Sequence, residues 1–257
     1  METIRDIAFR LAERRLTLTP PDRAPLFDVL DEAAAYELQA QTNAIISLKR
    51  GPVVGLKIGC TTSVMQKFLN IHTPAAGEIF AQTIHEGYII LDHQQYRRLG
   101  VECEIAIRIA RDIDPTDDIK DVRSIISSVH AAVELVDNRY DDFSSFGVFR
   151  LIADNFFNAG AVVGPAIKNA HALALDKLSG RMVINGREVG QGYGASVMGH
   201  PFNALSWLIA QRQKSGYILP KDSLVLLGSI VETKWVNSGD TIEIEIDQLG
   251  SLSLAIA

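Results

Sequence analysis

Residues 100–109, Gly-Val-Glu-Cys-Glu-Ile-Ala-Ile-Arg-Ile, constrain this chain more than any other stretch. Val101, Cys103, Ile105, Ile107 and Ile109 fall on one side of a period of two. Glu102, Glu104, Ala106 and Arg108 fall on the other, which is the pattern of a β-strand. Two glutamates two residues apart on a strand project the same way, with Cα atoms roughly 6.5–7 Å apart. A hard divalent cation takes oxygen ligands, and such a pair supplies two. Taken alone, however, the stretch reads better as a half-exposed strand with a solvated acidic face. Glu243 and Glu245, alternating with Ile242, Ile244 and Ile246 near the chain end, read as such a face. Spacing by itself therefore does not assign a metal site.

Two further positions break the pattern of an ordinary soluble domain. Lys57 lies within the glycine-bounded apolar run Val53–Gly59, a strand in which it is either an edge residue snorkelling to water or a deliberately placed cation. Glu134 lies in Ala-Ala-Val-Glu-Leu-Val-Asp, residues 131–137, with Ala132 and Val136 at the positions that share its strand face. A carboxylate there needs a cation or a hydrogen-bond network, so a functional role is favoured.

The rest of the chain bounds the fold. Ile4, Ile7, Ala8 and Leu11 predict an amphipathic helix over 2–16, and a second helix is expected from about Leu26 to Leu48, ended by Gly51-Pro52. Cys60-Thr-Thr-Ser caps a short helix over 64–69, and Pro74-Ala-Ala-Gly77 reads as a loop. Strands are expected at 88–91, 100–109, 131–137 and 160–165, with a helix opening at Asp117-Asp118 and running through Ile126. Residues 141–157 read as a loop and a helix. Asn185-Gly186 predicts a type I′ hairpin over 182–189, and Gly190–Gly194 a flexible connector rather than a dinucleotide loop. A helix follows His200-Pro201 to about Gly216. The remainder is β, with strands at 224–227, 241–246 and 252–256 and Gly228-Ser229 as an ordinary turn. Helices and strands do not alternate regularly, so the expected class is α+β: an N-terminal helical segment on a mixed-β body. The expected division is residues 1–75, helical with the first active-site strand, and 76–257, the mixed-β catalytic body, acting as one unit.

With 47% hydrophobic and 22% charged residues the composition is that of a soluble globular protein. A net charge of -6 argues against nucleic acid or an anionic membrane as partner. The first residues carry acids and no apolar run, and no segment reaches the roughly 20 apolar residues of a membrane span. Cys60 and Cys103 fit free buried thiols in a reducing cytoplasm, the expected location.

Several phrases together resemble the 2-keto-4-pentenoate hydratase branch of the fumarylacetoacetate hydrolase superfamily, which also holds 2-oxohept-3-ene-1,7-dioate hydratases and 4-oxalocrotonate decarboxylases. They are Gly55-Leu-Lys-Ile-Gly-Cys-Thr-Thr62 with Met65-Gln66, Val101-Glu-Cys-Glu-Ile-Ala106 and Val133-Glu-Leu-Val-Asp-Asn-Arg139. Asp154-Asn155 with Val163-Gly164, Gly194-Ala-Ser-Val-Met-Gly-His-Pro201 and Leu227-Gly-Ser229 follow in the family's order. The resemblance implies a β-roll or barrel-like body of the fumarylacetoacetate hydrolase type. It also implies a Mg²⁺ or Mn²⁺ ion held by Glu102, Glu104 and Glu134, with Lys57 beside it as the active-site lysine. It implies Gln66 and Ser229 as substrate contacts, and Asp137 and Asp154 as supporting groups behind the ligands. The implied partner is a small 2-oxo or 2-hydroxydienoic acid of aromatic catabolism, and the implied assembly a homo-oligomer.

The implied reaction is hydration of a 2-hydroxy-2,4-dienoate to a 4-hydroxy-2-oxo acid through a metal-chelated dienolate. Decarboxylation of a 2-oxo-dioate, acylpyruvate C–C hydrolysis or a catalytically silent ligand-binding role are the alternatives. One departure bears on the choice. Many family hydratases carry an aspartate in a Pro-Asp-Phe-Gly phrase where this chain has Pro74-Ala75-Ala76-Gly77, so the general acid is missing or displaced; Glu78, His72 and His85 are the candidate substitutes, and Glu78 is the one expected.

Overall fold

The computed structural model describes residues 3–21, 31–168 and 172–257. Helix α1 (Ile4–Leu16) starts in a capping box: the Thr3 hydroxyl accepts from the Asp6 N–H, and the Asp6 carboxylate accepts from the Thr3 N–H. Its Ile7, Ala8 and Leu11 bury against Leu38 of α2 (Glu32–Arg50) and Ala153. Asp31 caps α2, and Gly51, at φ +77°, ends it. The expected first residues of this helix, 26–30 with Leu30, lie outside the described residues.

The body is two sheets. Strands β1 (Val53–Gly59), β2 (Ala75–Phe80) and β3 (Ile84–Glu86) belong to the larger, with the short helix α3 (Ser63–Phe68) between the first two. Next in sequence come β4 (Ile89–Leu91), β5 (Leu99–Ile109), β6 (Ile126–Asp137), helix α4 (Val148–Ala153), β7 (Asn158–Val163) and β8 (Ile167–Lys168). The hairpin β9 (Ser179–Ile184) and β10 (Arg187–Tyr193), helix α5 (Pro201–Lys214), β11 (Leu224–Trp235), β12 (Thr241–Ile246) and β13 (Gly250–Ile256) complete the chain. The eight-stranded sheet runs β2-β1-β11-β5-β6-β7-β3, with β8 on β6; the five-stranded sheet runs β10-β9-β12-β13-β4. Both are open paths, so the α+β expectation holds and the body is a pair of packed sheets rather than a closed barrel. No described helix is long and apolar enough to cross a membrane.

Burial assigns the two faces of the large sheet. Val101, Cys103, Ile105 and Ile107 of β5 join Val133 and Leu135 of β6, the second sheet and α5 in the main core. Glu104, Ala106, Ala132, Glu134 and Leu226 take the opposite face, where Ile79, Ala161 and Val163 pack. The half-exposed strand expected at 100–109 is therefore corrected: β5 is central, between β11 and β6, and covered on both faces. By contrast Glu243 and Glu245 are exposed on β12, Glu245 pairing with Arg181, as their alternation suggested.

Four local expectations give way to tertiary context. The loop at 74–77 is strand β2 from Ala75 onward, because its small residues allow close approach: a Cβ on Gly77 would sit 2.6 Å from the Asn155 carbonyl. The helix at 117–126 shrinks to a 3₁₀ turn, Val122–Ile125, capped by the Asp121 side chain. The β-branched residues beyond it pair with β5 instead. Gly228-Ser229 is not a turn but an irregular step inside β11, with Gly228 at φ +121° and packed on Thr61. Gly190–Gly194 is mostly strand β10 rather than a connector. Its glycines permit backbone contact, since a Cβ on Gly192 would lie 1.8 Å from the Ile230 carbonyl and one on Gly194 1.9 Å from that of Leu175. Gly192→Ala should therefore destabilise the protein by about 2 kcal/mol or more, the scale of overpacking, as read by urea unfolding. A flexible connector would tolerate it within a few tenths.

Candidate metal centre and active site

The sheet register builds the site. Glu102 of β5 stands directly opposite Glu134 of β6, and Glu104, two residues on, shares their face. One carboxylate oxygen from each lies within 4.8 Å of the others. Lys57 comes from β1 across β11, and its Nζ sits 3.0 Å from Glu134 Oε1, with both side chains at most 4% exposed. Of the two readings open for Lys57, the structure selects the placed cation, because β1 is an interior strand. Its ammonium also lies 5.1 Å above the Phe156 ring. Gly59 makes that arrangement possible, since a Cβ there would meet Phe156 at 2.7 Å and Lys57 Nζ at 3.3 Å.

Each carboxylate is oriented by a group that the sequence did not announce. The Gly228 N–H donates to Glu104 Oε2 at 2.9 Å from the irregular step in β11. The Thr233 hydroxyl donates to Glu102 Oε1, and Asn158 Nδ2 to Glu134 Oε1 at 3.0 Å. Glu104 Oε1 and Glu134 Oε2 are buried without any partner. Three ionised carboxylates against one lysine would leave a largely buried charge of about −2, and two of their oxygens have no partner. A dication satisfies both the charge and the orphaned oxygens, so the residues fit a divalent metal with all-oxygen ligation.

Electrostatics agree with that fit. Burial, then the Glu134 charge, pushes the Glu102 carboxyl up to about 7 against the pull of Lys57 and Thr233. Burial, then Glu134 and Glu102, holds Glu104 well above the ordinary carboxylate range. For Lys57, burial works against the ammonium, but Glu134, Glu102 and Glu104 outweigh it and its pKa is raised.

Other residues singled out from sequence are placed as follows. Ser229 lines the cavity beside the cluster, its hydroxyl donating to the Val231 carbonyl. Gln66 donates to the Cys60 carbonyl at 2.9 Å, a bond that ties α3 to β1. Asp137 accepts from the Arg97 and Arg98 N–H groups, and Asp154 binds Arg139 and the Tyr140 hydroxyl, so neither touches a cluster carboxylate. Glu78 is not brought to the site. Lys57 pairs with Gly77 and Leu56 with Glu78, which displays Glu78 on the other face of β1–β2, bonded to Arg212 and Asn43. Ala75, where the family resemblance leads an acid to be expected, is fully buried with Cys60 and Phe156.

Asn158, like Thr233, is a residue that sequence reading missed. The signal nearest to it is the Asp154-Asn155 phrase, which leads into three consecutive residues at positive φ: Asn155 (65°), Phe156 (47°) and Phe157 (65°). Such backbone costs of order 1–3 kcal/mol per residue. It is held by the Asn155 side chain, which accepts from the Glu78 N–H at 2.7 Å and Asn43 Nδ2 at 2.9 Å and donates to the Glu78 carbonyl at 2.8 Å.

A mixed-β body that gathers two buried glutamates, a part-buried third and a buried lysine fits the class of carboxylate metal-site proteins. The fumarylacetoacetate (FAA) hydrolase C-terminal family profile matches residues 60–257, and the chain belongs to that family. It is 30% identical over 233 residues to 2-keto-4-pentenoate hydratase of Burkholderia vietnamiensis, covering 89% of this chain and 88% of that protein. It is 28% identical over 223 residues to 4-oxalocrotonate decarboxylase of Pseudomonas putida, covering 86% and 84%. Among solved structures, 4-oxalocrotonate decarboxylase from Pseudomonas putida G7, complexed with magnesium and adipate, superposes with a TM-score of 0.91 at 25% identity over 99% of this chain and 97% of that one.

The raised carboxyl groups set a pH dependence. Between about pH 4.5 and 7 the folded metal-free chain holds protons on Glu102 and Glu104 that the unfolded chain releases, so their contribution to stability falls as pH rises. Metal-free protein should melt lower at pH 7.5 than at pH 5.5. Glu104→Gln should flatten that slope, and a divalent metal should raise the melting temperature more at pH 7.5 than at pH 5.5. Differential scanning calorimetry reads all three.

Proposed function

We propose that this protein is a metal-dependent hydratase that converts a 2-hydroxy-2,4-dienoate bearing an uncharged tail to the 4-hydroxy-2-oxo acid. The observation that carries this reading is the lining of the cavity, of about 460 Å³, that opens onto Lys57 and Glu102. Beyond the carboxylate cluster its wall is apolar, with Met65, Val136, Phe143, Phe156, Phe157 and Trp235. Among the described lining residues Lys57 is the only cation, and the acids are Glu102 and Glu232. A monocarboxylate places its charge at the Lys57 end and its diene along the rings. The second carboxylate of an oxalocrotonate-type diacid would lose water against aromatic surface and face Glu232. The decarboxylase structure named above is complexed with adipate, a diacid, whereas this cavity offers no second cation among its described residues.

The donor set of three carboxylates suits Mg²⁺ or Mn²⁺, with Glu102, Glu104 and Glu134 as the residues that would hold it. Such an ion supplies Lewis-acid charge that favours the enolate form of a 2-oxo acid. Lys57, with its raised pKa, stays protonated at neutral pH and acts as a fixed cation toward negative charge developing on the substrate rather than as a base. The Ser229 hydroxyl at the cavity wall would serve the substrate carboxylate, as the family resemblance implies, by exchanging its bond to the Val231 carbonyl for one to the ligand. Position 75 supplies no acid, and Glu78 faces away. Apart from the cluster carboxylates and the Ser and Thr hydroxyls, the proton-bearing groups among the described lining residues are Lys57 and the Cys60 thiol, which burial holds up to about 11.

With Mg²⁺ or Mn²⁺ the purified protein should consume 2-hydroxypenta-2,4-dienoate, followed by loss of the dienol absorbance, and release no CO₂ from 4-oxalocrotonate. Faster decarboxylation of the diacid, or cleavage of an acylpyruvate without hydration, would overturn the assignment. Lys57→Met should lower kcat/KM by about 10²-fold or more, the scale seen when one preorganised electrostatic group is removed.

A further inference from the structure

Both helices of the N-terminal layer precede residue 60, where the family profile begins. A chain of contacts nevertheless runs from α1 into the carboxylate cluster. Arg15, in the last turn of α1, donates through Nη2 to the Asn158 carbonyl at 2.7 Å and through Nη1 to Asn43 Oδ1 at 3.2 Å. It meets Asn158 at the start of β7, where the β6–β7 register is irregular and the preceding three residues are held at positive φ. Asn158, 3% exposed, then donates Nδ2 to Glu134 Oε1, the same oxygen that takes the Lys57 ammonium. With two donors on Oε1, Glu134 cannot turn without breaking both, and Oε2 remains without a partner inside the cluster. Asn43 closes the arrangement from α2, since its Nδ2 also holds Asn155 at 2.9 Å.

We infer that Arg15 and Asn158 are positioning residues of the metal centre: Arg15 fixes the Asn158 backbone, and Asn158 orients Glu134 so that Oε2 faces the cation. The N-terminal helical layer thereby becomes part of the site although it contributes no ligand. This rests on the reading of Glu102, Glu104 and Glu134 as a divalent-cation site and is independent of which reaction the site performs. The chemistry favours an amide at 158. Aspartate would bring a fourth negative charge, and a hydrocarbon of the same size would leave Glu134 Oε1 with Lys57 alone.

The test is Mn²⁺ titration of the full chain without substrate, read by the electron paramagnetic resonance of the free ion, with the metal-free melting curve recorded alongside. Asn158→Leu should raise the Mn²⁺ Kd by about 10- to 100-fold, the range for groups that orient a metal ligand. Arg15→Met, which keeps the aliphatic stem but removes the guanidinium that also lies over the Phe80 ring, should raise it in the same direction by less. The double variant should bind within about twofold of Asn158→Leu alone, because residues acting in series are not additive. A wild-type Kd for Asn158→Leu, or effects that multiply independently in the double variant, overturns the inference. If Asn158→Leu lacks a cooperative melt, Arg15→Met decides. A weakened Kd with a wild-type melting curve supports the relay, and an unchanged Kd overturns it. Wild-type protein that binds no Mn²⁺ overturns the metal reading and the relay together. Failure to hydrate a dienoate touches neither measurement.

Discussion

The structure is arranged around one electrostatic problem, three carboxylates and one ammonium gathered on one face of a sheet, with Glu104, Glu134 and Lys57 buried and Glu102 at the cavity. Burying an ion costs several kcal/mol even after relaxation, and a domain's whole stability is about 5–15 kcal/mol. Glu102, Glu104 and Glu134 therefore cannot all remain charged and uncompensated. Lys57 answers one of them directly. Without a cation the remainder is met by protonation, which is the physical content of the raised carboxyl groups. A divalent ion at the orphaned oxygens Glu104 Oε1 and Glu134 Oε2 meets the same need without protons.

Much of the local irregularity in the fold serves that cluster. The step at Gly228 interrupts β11 so that a backbone N–H can reach Glu104, and only glycine fits there against Thr61. The positive-φ run Asn155–Phe157 brings Phe156 beneath Lys57 and Asn158 against Glu134. Its strain, of order 1–3 kcal/mol per residue, is opposed by the three hydrogen bonds of the Asn155 side chain, each worth about 1 kcal/mol net. The remaining support is packing around the turn, where Phe156 and Phe157 form edge contacts with each other and Phe157 with Tyr140 and Phe143.

The cluster of three glutamates and Lys57 stands in a chain that has an alanine at position 75, where the family resemblance led an acid to be expected. Ala75 is packed among Ala35, Cys60 and Phe156, so the position is filled by apolar contact rather than by a displaced polar group. The nearest carboxylate in sequence, Glu78, is committed to Arg212 and Asn43 on the opposite face. The cavity beyond the cluster is walled largely by rings and aliphatic chains, which is the basis of the proposal that the ligand carries an uncharged tail.

Legibility in the sequence followed the range of the interactions. Period-two alternation identified β5, a short apolar run identified the C-terminal half of β6, and Asn-Gly identified the β9–β10 turn, because these signals lie within a few residues. Glu134 stood out because its own strand neighbours are apolar, and the family phrases then joined it to Glu102, Glu104 and Lys57. The sequence could not distinguish Glu102/Glu104 from Glu243/Glu245, since both alternate with apolar residues; one pair is placed in a central strand and the other on the exposed face of β12. Nor could it reveal that Gly228, Thr233 and Asn158 orient the three carboxylates, that Glu78 turns away, or that Arg15 reaches Asn158 across 143 positions. Residue types and strand periods are local properties, readable in order along the chain. Which face is buried, and which donor meets which oxygen, depends on strands brought together from distant parts of the chain, and only the tertiary structure decides it.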